Sequence, residues 1–199
     1  MGRPVRFAKL PEMSSAKDTG DRQDIDDAAL AVEVVDRLRA RGDRLVLAES
    51  CTSGLLAANL GGVAGVSETF CGSAVTYRDA TKQAWLDIPS DVIRRHTSVS
   101  AMVTRQMATQ ILEKTAEADL SLAVTGHLGP LAPESIDGVV FFCIGFRRVN
   151  RGEVAVVGEQ QIKLIDDDRS ARQQEAASRA WRFLLSRMSD LPPATSGRA

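Results

Sequence analysis

The chain is poor in aromatic residues and histidine, and it has almost no net charge. Aromatic residues make up 5% of its 199 residues, with one tyrosine and two histidines. A formal charge of −1 argues against a protein that binds nucleic acid through bulk charge. No apolar run approaches the roughly 20 residues that cross a bilayer, and no apolar segment follows the charged N-terminus as in a secretory signal. We therefore expect neither a nucleic-acid partner nor a membrane partner.

The few cysteines and histidines do not form a recognisable metal or disulfide pattern. Cys51, Cys71 and Cys143 are odd in number and include no Cys-x-x-Cys pair, which favours reduced thiols in a cytoplasmic protein. His96 and His127 are not spaced as metal ligands. The chain also lacks a Walker-type Gly-Lys-Ser/Thr segment and a glycine fingerprint in the context that dinucleotide binding requires. We predict no metal and no cofactor.

The bulk of the chain has the composition of one folded domain. Hydrophobic residues make up 44% and charged residues 26%, which is ordinary for a globular protein. Residues 1–22 have no sustained periodicity and predict a mobile leader. We assign residues 23–190 to a single domain and residues 191–199 to a disordered tail.

Strands and helices alternate through most of this domain. The predicted strands are Leu45–Ala48, Phe70–Tyr77, Leu120–Val124, Val139–Phe146 and Val154–Leu164. Five helices are predicted. The first starts at Ile25 and stops at Gly42, the second and third cover Leu55–Leu60 and Thr81–Leu86, the fourth follows a cap at Ser100, and the last runs from Arg169 to Met188. Asn150-Arg151-Gly152 is a hairpin turn signal, so the last two strands must be antiparallel. The fold class is therefore α/β with a mixed sheet, ending in a C-terminal β-hairpin and a long helix.

The stretch Leu45–Leu60 is the first candidate for chemistry, because a strand turns sharply into a helix there. Ser50 lies in the turn, and the backbone N–H groups of such a turn can hold the negative charge that develops on an attacked carbonyl. The alternative is that Ser50 or Thr52 only caps the helix. Cys51 is a second possible nucleophile, but its apolar surroundings favour an inward-facing thiol.

A second candidate region follows the next strand and holds Tyr77 and Lys82. A partly desolvated Lys82 with a lowered pKa could take the proton from the Ser50 hydroxyl, as in known Ser–Lys pairs. Tyr77 would then relay a proton or orient the pair. The alternatives are a solvated lysine in a first helical turn and an amphipathic tyrosine at a strand edge. A third strand end carries the glycine-containing loop Thr125–Pro130. His127 in this loop is a candidate ligand contact, and the alternative is that it does not contact a ligand.

These motifs together resemble the C-terminal domain family of the competence/damage-inducible protein CinA. The segments that carry the resemblance are Ala48-Glu49-Ser50-Cys51-Thr52-Ser53-Gly54, Val75-Thr76-Tyr77 with Lys82, and Thr125-Gly126-x-x-Gly129-Pro130. Members of this family include nicotinamide-nucleotide amidase. The resemblance covers about Ile25 to Met188 and implies an α/β sandwich domain. It also implies hydrolysis of the carboxamide of nicotinamide mononucleotide to nicotinate mononucleotide and ammonia.

By position, the resemblance implies Ser50 as nucleophile, Lys82 as base and Tyr77 as assisting hydroxyl. Arg169 and Arg172 match the arginine-bearing start of the last helix and would suit a phosphate, unless they are only a solvated helix end. The predicted substrate-binding residues are Glu49, Thr52, Ser53, Gly54, Thr76, Thr125, Gly126, His127, Gly129, Arg169 and Arg172. The expected partners are a small nucleotide substrate and further copies of the chain in a homo-oligomer.

Two departures from the family pattern leave alternatives open. Ser53 stands where the family usually has glycine, so a side chain occupies a position of free backbone approach. His127-Leu128 replaces the usual Ile-Ala, and Leu131-Ala132-Pro133-Glu134 follows where glycines are usual. The alternatives are a nucleotide-binding module that has lost turnover and an amidase for a different small amide.

Overall fold

The computed structural model describes residues 27–130, 132–147, 153–166 and 168–192. The predicted leader, the predicted hairpin turn and the tail beyond residue 192 lie outside these ranges. Among the described residues, no helix is long and apolar enough to cross a membrane.

The strands form one five-stranded mixed sheet. They are β1 (Leu45–Glu49), β2 (Phe70–Val75), β3 (Leu120–Gly126), β4 (Val139–Arg147) and β5 (Val154–Lys163), in the spatial order β2-β1-β3-β4-β5. β1 is parallel to both of its neighbours, β2 and β3. β4 pairs antiparallel with β3 and with β5. The predicted mixed sheet and terminal antiparallel pair are confirmed.

Helices cover both faces of the sheet. They are α1 (Asp27–Arg41), α2 (Leu55–Gly61), α3 (Asp79–Leu86), α4 (Ser90–His96), α5 (Ala101–Lys114) and α6 (Arg169–Met188). Buried side chains of α1, α2 and α6 form one apolar core with one face of the sheet. Those of α3, α4 and α5 form a second core on the other face. The domain is therefore an α/β sandwich of three layers, as predicted.

The central strand β1 shows why the sheet needs helices on both sides. All five of its residues are buried. Leu45 and Leu47 belong to the first core, whereas Val46 and Ala48 belong to the second. This alternation follows from the two-residue period of a strand, and a strand buried on both faces reads as a continuous apolar run.

Most predicted element boundaries lie within two residues of the observed ones. β2 ends at Val75 and not at Tyr77, and α3 begins at Asp79 and not at Thr81. The helix α4 begins at Ser90, and Pro89 occupies its N-cap position. Ser100 does cap α5, since its side chain accepts a hydrogen bond from the Val103 N–H.

Candidate active site

The three candidate segments meet because the strands that carry them are adjacent and parallel. Glu49, the last residue of β1, is in register with Val75 of β2 and with Val124 of β3. The Ser50 N–H donates to the Val124 carbonyl at 3.0 Å, and the Thr76 N–H donates to the Glu49 carbonyl at 2.8 Å. The chain passes from β1 to β2 on one side and then to β3 on the other. Crevices at such a switch point are where α/β sheets commonly bind ligands.

Ser50 and Lys82 are in hydrogen-bond contact at this edge. Lys82 Nζ lies 3.2 Å from Ser50 Oγ and donates to the Thr76 carbonyl at 2.9 Å. Ser50 is 7% exposed and Lys82 is 1% exposed. The alternative of a solvated lysine is therefore wrong, although Lys82 does lie near the start of α3.

Burial shifts the pKa of this lysine. The removal of Lys82 from water lowers its pKa below the ordinary 10.5, and the negative charge of Asp79 partly opposes this effect. Asp79 lies one turn earlier on α3 and accepts a hydrogen bond from the Ser98 hydroxyl. A lowered pKa increases the fraction of neutral amine near neutral pH, which is the form that can accept a proton.

A cavity of about 310 Å³ lies over the pair. Its walls come from the segments after β1, β2 and β3, from the stretch before α5 and from the start of α6. The lining residues are Ser50, Cys51, Tyr77, Lys82, Ser98, Val99, Gly126, His127, Leu128, Gly129, Pro130, Ala132, Pro133 and Arg169. This volume is at the lower end of the range for small-molecule sites.

Arg169 joins two walls of the cavity. Its guanidinium donates to the Tyr77 hydroxyl at 2.8 Å and to the Gly129 carbonyl at 2.6 Å. Both Arg169 and Tyr77 are exposed, the latter by 54%. The structure thus places Tyr77 in the cavity wall, with its hydroxyl bound to Arg169. Its role in proton transfer stays a prediction.

Comparison with known proteins identifies the family. The sequence profile described as "CinA C-terminal domain" matches residues 27–188, which is most of the chain. The protein belongs to the CinA C-terminal domain family.

Individual relatives agree with this assignment. A CinA-like protein of Myxococcus xanthus is 41% identical over 119 residues, which are 59% of this chain and 28% of that protein. A CinA-like protein of Prochlorococcus marinus is 45% identical over 105 residues, which are 53% of this chain and 24% of that protein. The chain spans about a quarter of the length of these curated relatives.

Solved structures confirm the fold class. A competence-damaged protein (CinA) superfamily protein from Klebsiella pneumoniae has a TM-score of 0.75 and 30% identity, and the match covers 84% of this chain and 100% of that one. A CinA superfamily protein from Escherichia coli has a TM-score of 0.71 and 29% identity, with coverage of 80% and 88%.

In this CinA-family domain, Glu49 supports the turn and does not reach the cavity. Its side chain is fully buried. The carboxylate accepts hydrogen bonds from the Thr52 and Ser73 hydroxyls and from the N–H groups of Gly54, Leu56 and Ala57, at 2.8 to 3.2 Å. The carboxylate is thus engaged within the turn, and substrate contact by Glu49 stays a prediction. Glu49 supplies acceptors for the otherwise unpaired first N–H groups of α2, so neither Ser50 nor Thr52 is the cap.

Substrate contact by Thr52, Ser53 and Gly54 in the same turn also stays a prediction. The Thr52 hydroxyl and the Gly54 N–H both donate to Glu49. Ser53 is exposed, lies outside the cavity lining and has a left-handed φ of 54°. Glycine adopts that conformation without strain, which is a physical reason for the glycine that the family usually has where this chain has Ser53.

Thr76, Thr125 and Arg172 have buried side chains outside the cavity lining, and substrate contact by them stays a prediction. Thr76 contacts Lys82 through its carbonyl only. The Thr125 hydroxyl lies 2.7 Å from that of Thr104 on α5. Arg172 is 5% exposed and donates to Asp137 at 2.9 Å. Close approach explains the nearby glycine as well, since a Cβ on Gly129 would lie 2.9 Å from the Arg172 guanidinium.

The predicted loop glycines and His127 do line the cavity. A Cβ on Gly126 would lie 2.7 Å from the Val140 side chain and 3.0 Å from Cys51 Sγ, so this wall has room for a hydrogen atom only. Burial lowers the pKa of His127, with Asp137 acting in the opposite direction. The imidazole is therefore neutral at pH 7 and can both donate and accept a hydrogen bond.

Cys51 faces inward, as predicted. Its thiol is 4% exposed and belongs to the first core. Burial raises its pKa to about 12, and a thiol that stays protonated is a poor nucleophile. This observation favours Ser50 over Cys51.

Sequence reasoning missed four residues of the cavity wall: Ser98, Val99, Ala132 and Pro133. A usable signal existed for the first two. They immediately precede the Ser100 cap of α5, and α5 leads back into β3. A helix in such a crossover begins at the edge where the parallel strands end. For Ala132 and Pro133 the signal was their place in the segment after Pro130 that departs from the family pattern.

Proposed function

We propose that the protein is an amidohydrolase that converts nicotinamide mononucleotide to nicotinate mononucleotide and ammonia. The observation that carries the proposal is the contact of 3.2 Å between Lys82 Nζ and Ser50 Oγ, at the base of a cavity large enough for a small molecule. The substrate comes from the family resemblance. The names of the relatives say only that they are CinA-like.

The reaction begins with neutral Lys82. Its Nζ accepts the Ser50 hydroxyl proton as Oγ attacks the carboxamide carbon. The resulting ammonium then returns the proton to the leaving nitrogen, so the C–N bond breaks and ammonia departs. Water attacks the acyl-serine, its proton passes through Lys82 to Ser50 Oγ, and the acid is released.

Two N–H groups of the turn after Ser50 are already occupied within the protein and do not stabilise the oxyanion. The N–H of Ser53 donates to the Ser50 carbonyl at 3.1 Å, and that of Gly54 donates to Glu49 at 2.9 Å. We assign the role to the N–H groups of Cys51 and Thr52, which directly follow the nucleophile, as in a nucleophile elbow.

A cationic side chain at the rim of the cavity favours an anionic nucleotide as the substrate. Arg169 is exposed beside the loop after β3, and a guanidinium suits a phosphate. The remodelled loop favours a second candidate, an amidase for a different small amide, because His127, Leu128, Ala132 and Pro133 all line the cavity.

Ammonia release from nicotinamide mononucleotide tests the function. Ser50→Ala should lower kcat by on the order of 10³-fold or more, as removal of a nucleophile does, while Ser67→Ala, at an exposed position, should leave kcat unchanged. No ammonia from the folded protein would refute the substrate, and a panel of pyridine amides would then test the second candidate.

Nucleotide binding by calorimetry without product would indicate a binding module. A mild effect of Ser50→Ala with a large effect of Cys51→Ala would reverse the nucleophile assignment.

A further inference from the structure

Gln173 connects the last helix to the turn that carries Ser50. It lies on α6, one helical turn after Arg169, and its side chain is partly buried. Its carboxamide Nε2 donates to the Thr52 carbonyl at 2.8 Å and approaches the Cys51 carbonyl at 3.5 Å. The start of α6 therefore contacts all three strand ends, since Arg169 contacts Tyr77 and Gly129.

The two carbonyl groups that Gln173 contacts belong to different peptide units. The Cys51 carbonyl, at 3.5 Å, shares its unit with the Thr52 N–H, to which we assign an oxyanion role. The Thr52 carbonyl, at 2.8 Å, shares its unit with the Ser53 N–H, which donates to the Ser50 carbonyl and so holds the same turn. Because a peptide unit is planar and trans, its N–H points away from its C=O. A donor that holds the Cys51 carbonyl therefore sets the direction of the Thr52 N–H. A hydrogen bond to a carbonyl also polarises the rest of its peptide unit, which strengthens the N–H as a donor.

We infer that Gln173 is a positioning residue that orients the peptide groups directly after Ser50. It acts through the turn Cys51–Ser53 and touches neither Ser50 nor Lys82 in the hydrogen bonds of the described residues. The inference rests on the proposed role of Ser50 as nucleophile and does not depend on the identity of the substrate.

The test uses the full-length protein with two readouts. The first is the rate at which phenylmethanesulfonyl fluoride modifies Ser50, followed by mass spectrometry. In this reaction the Ser50 Oγ–S bond forms, the S–F bond breaks, fluoride leaves and the hydroxyl proton passes to Lys82. The second is kcat and KM for nicotinamide mononucleotide. The reagent reports on the serine and its oxyanion donors without the natural substrate.

Gln173→Met keeps the length of the side chain and removes its donor. We expect the modification rate and kcat to fall by about tenfold to a hundredfold, because misplacement of reacting groups by about 1 Å can cost about a hundredfold. KM should stay within about twofold, and the melting temperature and the pH of half-maximal rate should not move. Gln173→Arg, which restores N–H donors, should recover most of the rate. Gln174→Met, at an exposed neighbouring position, should match the unaltered protein.

Three results would overturn the inference. The first is an unaltered modification rate in Gln173→Met. The second is a loss of modification rate that parallels a drop in melting temperature and is not recovered in Gln173→Arg, and the third is a Ser50 that resists the reagent in the unaltered protein. A protein that reacts with the reagent but releases no ammonia would refute only the proposed substrate. The modification rates would then still decide the role of Gln173.

Discussion

Replacement of Glu49 by glutamine should destabilise the protein strongly, because this carboxylate organises the turn around Ser50. Its two oxygens accept five hydrogen bonds from within the protein and are fully buried. Five donors and no facing acceptor form the pattern that an ionised carboxylate satisfies and an amide does not. Glu49→Gln places an NH₂ group where an acceptor is required.

The expected magnitude follows from the better orientation of the new amide. With its nitrogen at the Oε1 position, the Ser73 hydroxyl can reverse and accept, but the Ala57 N–H loses its partner. This hydrogen bond is partly buried. An N–H that loses its partner away from water costs about 1–3 kcal/mol, and the remaining bonds lose the strength that the charge gave them. A total loss of about 3–5 kcal/mol is a large part of the 5–15 kcal/mol that is typical for a domain.

Urea unfolding followed by far-ultraviolet circular dichroism would measure this loss. The midpoint should fall while the m value stays constant. Glu113→Gln, the same change at an exposed position on α5, should stay within about 0.5 kcal/mol of the unaltered protein. A loss below about 1 kcal/mol for Glu49→Gln would refute the assignment of Glu49 as the acceptor for this turn.

Two further predictions concern Lys82 and Ser53. The pKa of Lys82 is lowered by burial and raised by Asp79. The proposed mechanism requires neutral Lys82, so activity should rise with pH through this pKa. Asp79→Asn removes the charge that raises the Lys82 pKa, so it should move the rise in kcat/KM to lower pH. Ser98→Ala removes the Asp79–Ser98 hydrogen bond but keeps the charge, so it should not move the rise. A shift to higher pH in Asp79→Asn would contradict the argument. Ser53→Gly should raise the free energy of unfolding by about 0.5–1 kcal/mol, because φ is 54° there. It should not change kcat, since Ser53 lies outside the cavity lining, and an altered substrate preference would show that this position matters for specificity.

The order and type of the main elements could be predicted because periodicity is a local property. Strand β1 reads as an apolar run, and α6 was placed at its observed bounds, Arg169–Met188. No helix is predicted from the sequence over the short helix α4. Of its seven residues only Ile93 is buried, so no apolar stripe marks a helix there, whereas α2, of the same length, is mostly apolar.

The sequence indicated which segments form the site better than it indicated what each side chain in them contacts. Residue types at strand ends indicated Ser50, Lys82 and the loop after β3, all of which line the cavity. Glu49 and Arg172 are polar residues of the same kind in the same motifs, yet one accepts hydrogen bonds inside the turn and the other pairs with Asp137. Polarity alone does not distinguish a side chain that faces a ligand from one that satisfies buried groups.

The sequence by itself determined the alternation of strands and helices, the antiparallel last pair and the three polar strand ends, because these depend on residues close together along the chain. Only the tertiary structure decided that Lys82 is buried against Ser50, that Arg169 and Gln173 connect the strand ends from the last helix, and that Glu49 faces inward. These features arise from contacts between residues as far apart as Thr52 and Gln173. Such contacts depend on the order of strands in the sheet and on the packing of α6, and no local pattern contains that information.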